Sequence, residues 1–200
     1  MIKLMTLCAA AALTVTSFAN NEEGTTRYKV DVAASAITWH ATRVTGEHTG
    51  TVGLLNGYMS VEDGHLIAAN VIANMETIAC TNLQGEWGDK LIGHLVSEDF
   101  FHVDEHKTSA FSLRELKATP DGNVTHSVTG NFTIRGITQS VTFPAIVTEE
   151  DGTLSIQGEV MLDRSQFDVK YGSGSFFDNL GDNLIHDNFT VGFNLVAAAQ

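Results

Sequence analysis

The sequence predicts an all-β protein built from antiparallel strands. Apolar and polar residues alternate with a period of two through most of the chain, and short acidic turns ending in glycine separate the alternating segments. One segment alone has a helical period instead. Strands with one apolar face cover a core on one side only. About eight or nine such strands must stack as two sheets or close into a barrel, and alternation does not distinguish the two.

Residues 1–19, MIKLMTLCAAAALTVTSFA, have the three parts of a secretory signal peptide. Lys3 gives the positive start, residues 4–15 form an apolar core, and residues 17–19 form a small-x-small cleavage site. The apolar core is too short for a membrane span. We therefore expect a cleaved signal peptide, one domain over residues 20–200, and no integral membrane span.

The charge balance limits the classes of partner. The chain has 24 acidic and 11 basic residues, a net charge of −13 at pH 7. Such a surface repels phosphate backbones, so no nucleic-acid partner is expected. Once Cys8 leaves with the signal peptide, Cys80 has no partner for an intramolecular disulfide. We expect Cys80 to be a small buried hydrophobe. The alternatives are a redox site and a link between two chains of a homodimer.

The strands follow in order from the alternation. The turns EDG at 62–64, PDG at 120–122 and EDG at 150–152 suit hairpins, which predicts an antiparallel meander. Pro144 cannot donate a ladder hydrogen bond, so it indicates an edge, a bulge or a corner of the sheet. The main alternating segments are RYKVDV (27–32), AITWHATRV (36–44), SVTGNFTIRG (127–136), SVTFPAIV (140–147), TLSIQGEVML (153–162) and NFTVGFNLV (188–196).

Residues 82–101, NLQGEWGDKLIGHLVSEDFF, break the alternation. Leu83, Trp87, Leu91 and Leu95 recur every four residues, which predicts a short amphipathic helix that Gly85, Gly88 and Gly93 weaken. A helix between strands of a meander usually caps one end of the structure. His94 lies on this helix and could face a cavity mouth.

Known catalytic and metal motifs fit poorly. HVDEH (102–106) matches the H-x-x-E-H zinc-protease pattern, but it lies between an acidic turn and a strand without helical periodicity, so we expect a surface loop and no metal. YGSGSF (171–176) lacks the G-x-S-x-G pattern and the helix of a hydrolase or phosphate site. The Asp/Asn-rich run 178–187 lacks EF-hand spacing, and calcium stays open there. Neither catalytic residues nor a cofactor are predicted.

Two phenylalanine pairs flanked by acids are the strongest apolar feature. Phe100-Phe101 and Phe176-Phe177 would be unusual as solvent-exposed connectors. They either plug the ends of the sheet structure or line an opening for an apolar ligand.

Four stretches resemble the YceI-like family of periplasmic lipid- or polyisoprenoid-binding proteins, over about Tyr28 to Val196. The resemblance implies an antiparallel eight-stranded lipocalin-like barrel with a short capping helix, holding a long isoprenoid chain of quinone or prenyl phosphate type. Cys80-Thr81 and Glu105-His106 depart from the pairs common in the family. The four stretches are ITWHATRVTGEHTGTV (37–52), KLIGHLVSEDFFHV (90–103), VTGNFTIRGITQSVTFP (128–144) and LDRSQFDVKYGSGSFFDNLGDNLIHDNFTV (162–191).

The inward strand faces and this resemblance together give a set of candidate ligand-binding residues. We expect residues 172–175 to turn the chain at a barrel end so that Phe176 and Phe177 fold onto the cavity. Lys170 is a further candidate for the head group, whereas Arg164 is expected rather to pair with Asp163 or Asp178. The candidates are Trp39, His94, Phe100, Phe101, Phe132, Ile134, Phe143, Arg164, Phe167, Tyr171, Phe176, Phe177 and Phe193.

The sequence thus predicts a non-enzymatic periplasmic carrier or sequestering protein for an isoprenoid lipid. Two other classes stay open. One is an enzyme that acts on a hydrophobic substrate in the same cavity, and the other is an exported β-sandwich interaction module with a filled core.

Overall fold

The computed structural model describes residues 24–121 and 124–200. The expected signal peptide, residues 1–19, lies outside the described residues, and so does Gly122 of the 120–122 turn. Two short 3₁₀ turns, Arg164–Phe167 and Gly181–Asn183, lie between the last two strands. The longer elements are β1 (Thr25–Val30), β2 (Ala36–Arg43), β3 (Gly46–Glu62), β4 (His65–Cys80), α1 (Gly85–Val96), β5 (Thr108–Asp121), β6 (Val124–Ile134), β7 (Ile137–Glu150), β8 (Thr153–Asp163) and β9 (Ile185–Ala199).

The strands close into an antiparallel barrel with eight strand positions. Strands β2 to β9 pair in chain order, and β9 returns to pair with β2. β1 pairs with β3 and β9 beyond the end of β2, so β1 and β2 together fill one position. The turn between them is fixed by the Ser35 N–H, which donates to the Asp31 carbonyl at 3.0 Å. The predicted eight-stranded barrel is confirmed.

Period-two alternation produces the core. On β8, Leu154, Ile156, Val160 and Leu162 all point inward and are buried. Full burial of each such side chain stabilises the fold by about 1.5–3 kcal/mol. The hairpins at 62–65 and 150–153 carry positive φ at both central residues, the turn geometry that matches strand twist.

Pro144 marks a corner where two strands part. β7 pairs with β6 across Pro144, but its pairing with β8 begins only at Ala145. The 3₁₀ turn after β8 covers this gap, since the Gln139 side-chain amide donates to the Gln166 carbonyl at 3.0 Å. Phe167 of this turn is buried in the main core. Phe167 lines neither of the apolar cavities described below, in contrast to its predicted place among the ligand-binding residues.

Helix α1 lies between β4 and β5, as predicted, and covers one end of the barrel. Leu95 is buried and Leu91 half-buried, but Trp87 is 69% exposed. Trp87 is thus not part of the buried stripe, and the Lys90 ammonium lies 4.7 Å from its ring centroid on the outer surface. Among residues 24–121 and 124–200, no helix combines the length and the apolar character needed to cross a membrane.

Cys80 ends β4 as a free, partly exposed thiol whose Sγ lies 3.3 Å from the Asn82 side-chain oxygen. The prediction of a buried thiol is wrong, because Cys80 is the last residue of its strand and its side chain is only partly covered.

Candidate ligand-binding site

An apolar cavity of about 320 Å³ occupies the end of the barrel that α1 covers. This volume lies at the lower end of the ~300–1,000 Å³ typical of ligand pockets. Strands β2 to β6, β8 and β9 form its wall, while α1 and the segment after it form its roof. Aliphatic side chains dominate the lining, among them Ile37, Val52, Met75, Leu91, Ile185 and Val191.

A second apolar cavity of about 80 Å³ lies deeper in the barrel. Phe111 and Phe132 line both cavities, with ring centroids 4.9 Å apart. Phe143 and Phe193 line only the deeper one. The two cavities are therefore adjacent, with the Phe111 and Phe132 rings at their boundary.

Trp39 lies flat against the wall because its cross-strand neighbour is glycine. Trp39 pairs with Gly50 across β2 and β3. A Cβ atom at Gly50 would lie 2.4 Å from the indole ring and 1.8 Å from the Ala79 carbonyl oxygen. Glycine at this position therefore gives the indole its place on the cavity wall.

Two buried polar atoms belong to side chains that line this apolar cavity. The Trp39 Nε1 and the His48 Nδ1 have no hydrogen-bond partner among the described residues of the chain. An unpaired buried donor costs about 1–3 kcal/mol. Both groups are therefore suited to pair with a polar atom of a ligand.

His48 was missed by the sequence analysis, although a signal was present. His48, Gly50 and Val52 share one face of β3, and that face contributes to the cavity wall. Extending the alternation of Ile37 and Trp39 to the neighbouring strand would have placed His48 inside.

His94, Tyr171 and Phe100 form an aromatic group at the cavity roof. The His94 ring meets the Tyr171 ring edge-on at 4.3 Å and the Phe100 ring at 5.0 Å between centroids. Its Nε2 lies 3.7 Å from an Asp99 carboxylate oxygen. The structure thus places His94 beside the cavity. Other candidates that line it are Trp39, Phe100, Phe101, Phe132, Ile134, Arg164 and Tyr171.

Arg164 has a structural role beneath the cavity mouth. The side chain is only 4% exposed, and its guanidinium lies 3.2 Å from Asp187, not from the expected Asp163 or Asp178. Burial lowers the pKa of Arg164, while the charges of Asp187 and Asp163 raise it. With its donors engaged, the group is not free for a ligand head group. The guanidinium donates to the carbonyls of His186, Val169, Tyr171 and Ile185 at 2.8–3.2 Å.

The prediction that Phe176 and Phe177 fold onto the cavity is wrong. They are 45% and 50% exposed and line neither apolar cavity. Both of their N–H groups donate to the carbonyl of the fully buried Ser173, which turns the rings outward. Gly172 has φ +60° and accepts from the Ile185 N–H, so the Gly-Ser run docks against β9.

The polar residues of this loop also lie away from the cavity. Lys170 pairs with Asp168 at 2.6 Å and does not line the cavity. Asp178, Asn179 and Asp182 of the Asp/Asn-rich run are exposed, as expected.

The contribution of Asp163 to the stability of the fold depends on pH. Burial pushes the pKa of Asp163 up, but hydrogen bonds from Ser165 and Gln166 and the charge of Arg164 outweigh it, so the pKa is lowered from 3.8. A carboxylate with a depressed folded-state pKa stabilises the fold above its unfolded pKa. That contribution is lost as the pH falls through the lower folded value.

Replacing Asp163 with Ala will therefore destabilise the barrel in a pH-dependent way. The side chain accepts from the Ser165 N–H at the start of the 3₁₀ turn, and loss of such a cap costs about 0.5–2 kcal/mol near neutral pH. Urea unfolding of both proteins should show this difference at about pH 7 and a smaller one at about pH 3. A difference that is constant with pH would contradict the role of the charge.

A family model described as a YceI-like domain matches residues 28–197. The chain belongs to the YceI-like family. This confirms the resemblance found in the sequence. A UPF0312 protein of Azotobacter vinelandii is 31% identical over 96 residues, which is 48% of this chain and 47% of that protein. The match thus spans about half the length of this relative.

Two solved structures have the same YceI-like barrel. BcnA of Burkholderia cenocepacia is 22% identical with a TM-score of 0.65, and the match covers 84% of this chain and 99% of that one. A polyisoprenoid binding domain from Saccharophagus degradans, implicated in plant cell wall breakdown, is 12% identical with a TM-score of 0.63, covering 86% and 98%. At these identities the likeness concerns the fold alone.

Proposed function

We propose that this YceI-like protein binds a long isoprenoid chain of quinone or polyprenyl type inside its barrel. The observation that carries the proposal is the apolar cavity at the helix-capped end, whose lining buries two polar atoms that have no hydrogen-bond partner within residues 24–121 and 124–200. Burial of an apolar tail contributes about 25 cal/mol per Å² removed from water. A tail of several isoprene units can therefore bind with few polar contacts.

The buried polar atoms favour a hydrogen-bond acceptor as the head group. The Trp39 indole can only donate, and the neutral His48 imidazole can donate or accept. Arg164, the buried cation below the mouth, is already engaged by backbone carbonyls and Asp187. A neutral acceptor such as a quinone carbonyl therefore suits this position better than a phosphate.

The proposed role is a carrier or a sequestering protein, since binding in the barrel requires no chemical step. Export to the periplasm is part of the proposal and rests on residues 1–19, which have the pattern of a cleaved signal peptide. A catalytic His94 is the alternative, and loss of turnover of a hydrophobic substrate in a His94→Gln variant would support it.

Fluorescence of the two tryptophans tests the proposal with a matched pair of variants. Trp87→Phe leaves only Trp39, on the cavity wall, and Trp39→Phe leaves only the exposed Trp87. A benzoquinone with an isoprenoid tail should quench the emission of Trp39 saturably. The quinone should quench the emission of Trp87 only non-specifically, without saturation. Equal quenching in the two variants would contradict binding in the cavity.

A further inference from the structure

Three metal-ligating side chains meet outside the cavity, in the turn that joins α1 to β5. His102, Glu105 and His106 each offer one ligand atom, and these atoms lie within 4.8 Å of one another. The His102 Nδ1 is 3.8 Å from the Glu105 carboxylate, and the two imidazole centroids are 5.9 Å apart. The sequence predicted a plain surface loop here.

A single helical turn places the three side chains on one side. The N–H groups of Glu105 and His106 both donate to the His102 carbonyl, at 3.1 and 2.9 Å. Residues i, i+3 and i+4 lie on the same face of such a turn. His102 itself has φ +48°, so no regular helix continues through it. The arrangement is thus a compact three-ligand turn and not the helical protease motif.

The neighbouring contacts hold this turn in place. The His102 N–H donates to the Ser97 carbonyl at 2.9 Å, and the Val103 N–H donates to the Val96 carbonyl at 2.9 Å, which ties the turn to the end of α1. Val103 is buried in the core beneath the helix. The His102 side chain is 24% exposed and that of Glu105 is 69% exposed, so water can reach the group.

The neighbouring lysine, Lys107, does not neutralise the group. The ammonium of Lys107, the next residue, lies 2.8 Å from the Glu76 carboxylate, so this lysine forms its ion pair with Glu76 and not with Glu105. The His106 ring packs beside the β6–β7 turn, where a Cβ at Gly136 would come within 3.4 Å of its Cε1. The ring therefore has a defined position against the barrel.

We propose that His102, Glu105 and His106 bind a divalent transition-metal ion of the zinc class. Two imidazole nitrogens and one carboxylate oxygen match the ligand types that zinc prefers. Zinc bonds of about 2.0–2.2 Å require these atoms, which now lie within 4.8 Å of one another, to move closer together. Three protein ligands leave a fourth position for water or another donor. This site is separate from the lipid cavity and does not depend on lipid binding.

Metal titration of untagged, EDTA-treated full-length protein tests the site. Zinc should bind at one ion per chain, and cobalt at the same site should give visible absorption bands of a four-coordinate ion. His106→Gln should weaken zinc binding by at least about tenfold. Loss of a residue that only supports a metal ligand already weakens binding by about 10–100-fold, so loss of a ligand should cost at least the lower value. Zinc should also raise the melting temperature of the unaltered protein, because it binds only the folded state.

His65→Gln is the matched control, since His65 is an exposed histidine in the β3–β4 hairpin, away from the turn. It should bind zinc as the unaltered protein does, and circular dichroism of the metal-free proteins should show that both variants fold. Two results would overturn the proposal. One is binding that His106→Gln leaves unchanged, and the other is binding no tighter than about millimolar, near −4 kcal/mol.

Discussion

Replacing Ala73 with Trp will weaken binding of an isoprenoid quinone by at least about tenfold, or ~1.4 kcal/mol. Ala73 is buried on β4 and lines the main cavity. An indole at this position would take up the space that the proposed tail needs, while the barrel wall keeps its strand pairing. The variant adds a tryptophan to the cavity wall, so fluorescence quenching would no longer report Trp39 alone. Binding is therefore measured by calorimetry.

Ala68→Trp is the matched control because Ala68 lies on the same strand with the opposite parity and outside both apolar cavities. It should bind the quinone as the unaltered protein does. If the two variants bind equally well, the tail does not occupy the main cavity. Thermal unfolding of both variants would confirm that the barrel is intact.

Replacing Arg164 with Met will destabilise the barrel by about 3–5 kcal/mol, the cost of breaking a buried charge pair. The variant leaves Asp187 without its ion-pair partner and removes the donor that serves four backbone carbonyls. Two of these carbonyls, those of Val169 and Tyr171, belong to the segment that joins β8 to β9, and the other two lie at the start of β9. The joining segment should therefore loosen first. Guanidinium unfolding measures the free energy, and amide hydrogen exchange locates the loosening.

Lys170→Met provides the comparison for Arg164. Lys170 forms an exposed pair with Asp168, and such surface pairs contribute about 0–1 kcal/mol. Its loss should therefore change the unfolding free energy little. A change at Arg164 as small as the one at Lys170 would show that the buried guanidinium does not hold the loop.

The strands could be predicted because their signal is local. On β8 and β9, Leu154, Ile156 and Phe189 each lie between two polar residues, so the sequence itself shows which face of the strand they are on. Barrel closure is different. The return of β9 to β2 joins residues far apart in the chain, and a sandwich would show the same alternation. Only the family resemblance predicted the closed form.

Cavity-lining candidates on the strands and the helix could be predicted from periodicity, although His48 on β3 was missed. Trp39, Phe132 and His94 lie on regular elements and line the cavity as their periodicity suggested. Phe176 and Phe177 were misplaced because backbone hydrogen bonds to Ser173 set their direction, and side-chain polarity gives no sign of such bonds.

The ion-pair partner of Arg164 was also missed, because the segment that joins β8 to β9 folds back on β9. This return brings Asp187 to the guanidinium in place of Asp163 or Asp178. The distance along the chain gave no indication of that contact.

The central claim is that the barrel encloses an apolar chain. The direct measurement is mass spectrometry of an organic extract of protein purified from its native host without detergent. The expected result is an isoprenoid lipid at close to one molecule per chain in the unaltered protein, and strong depletion in Ala73→Trp. An extract without lipid from folded, unaltered protein, or equal lipid in both proteins, would contradict the claim.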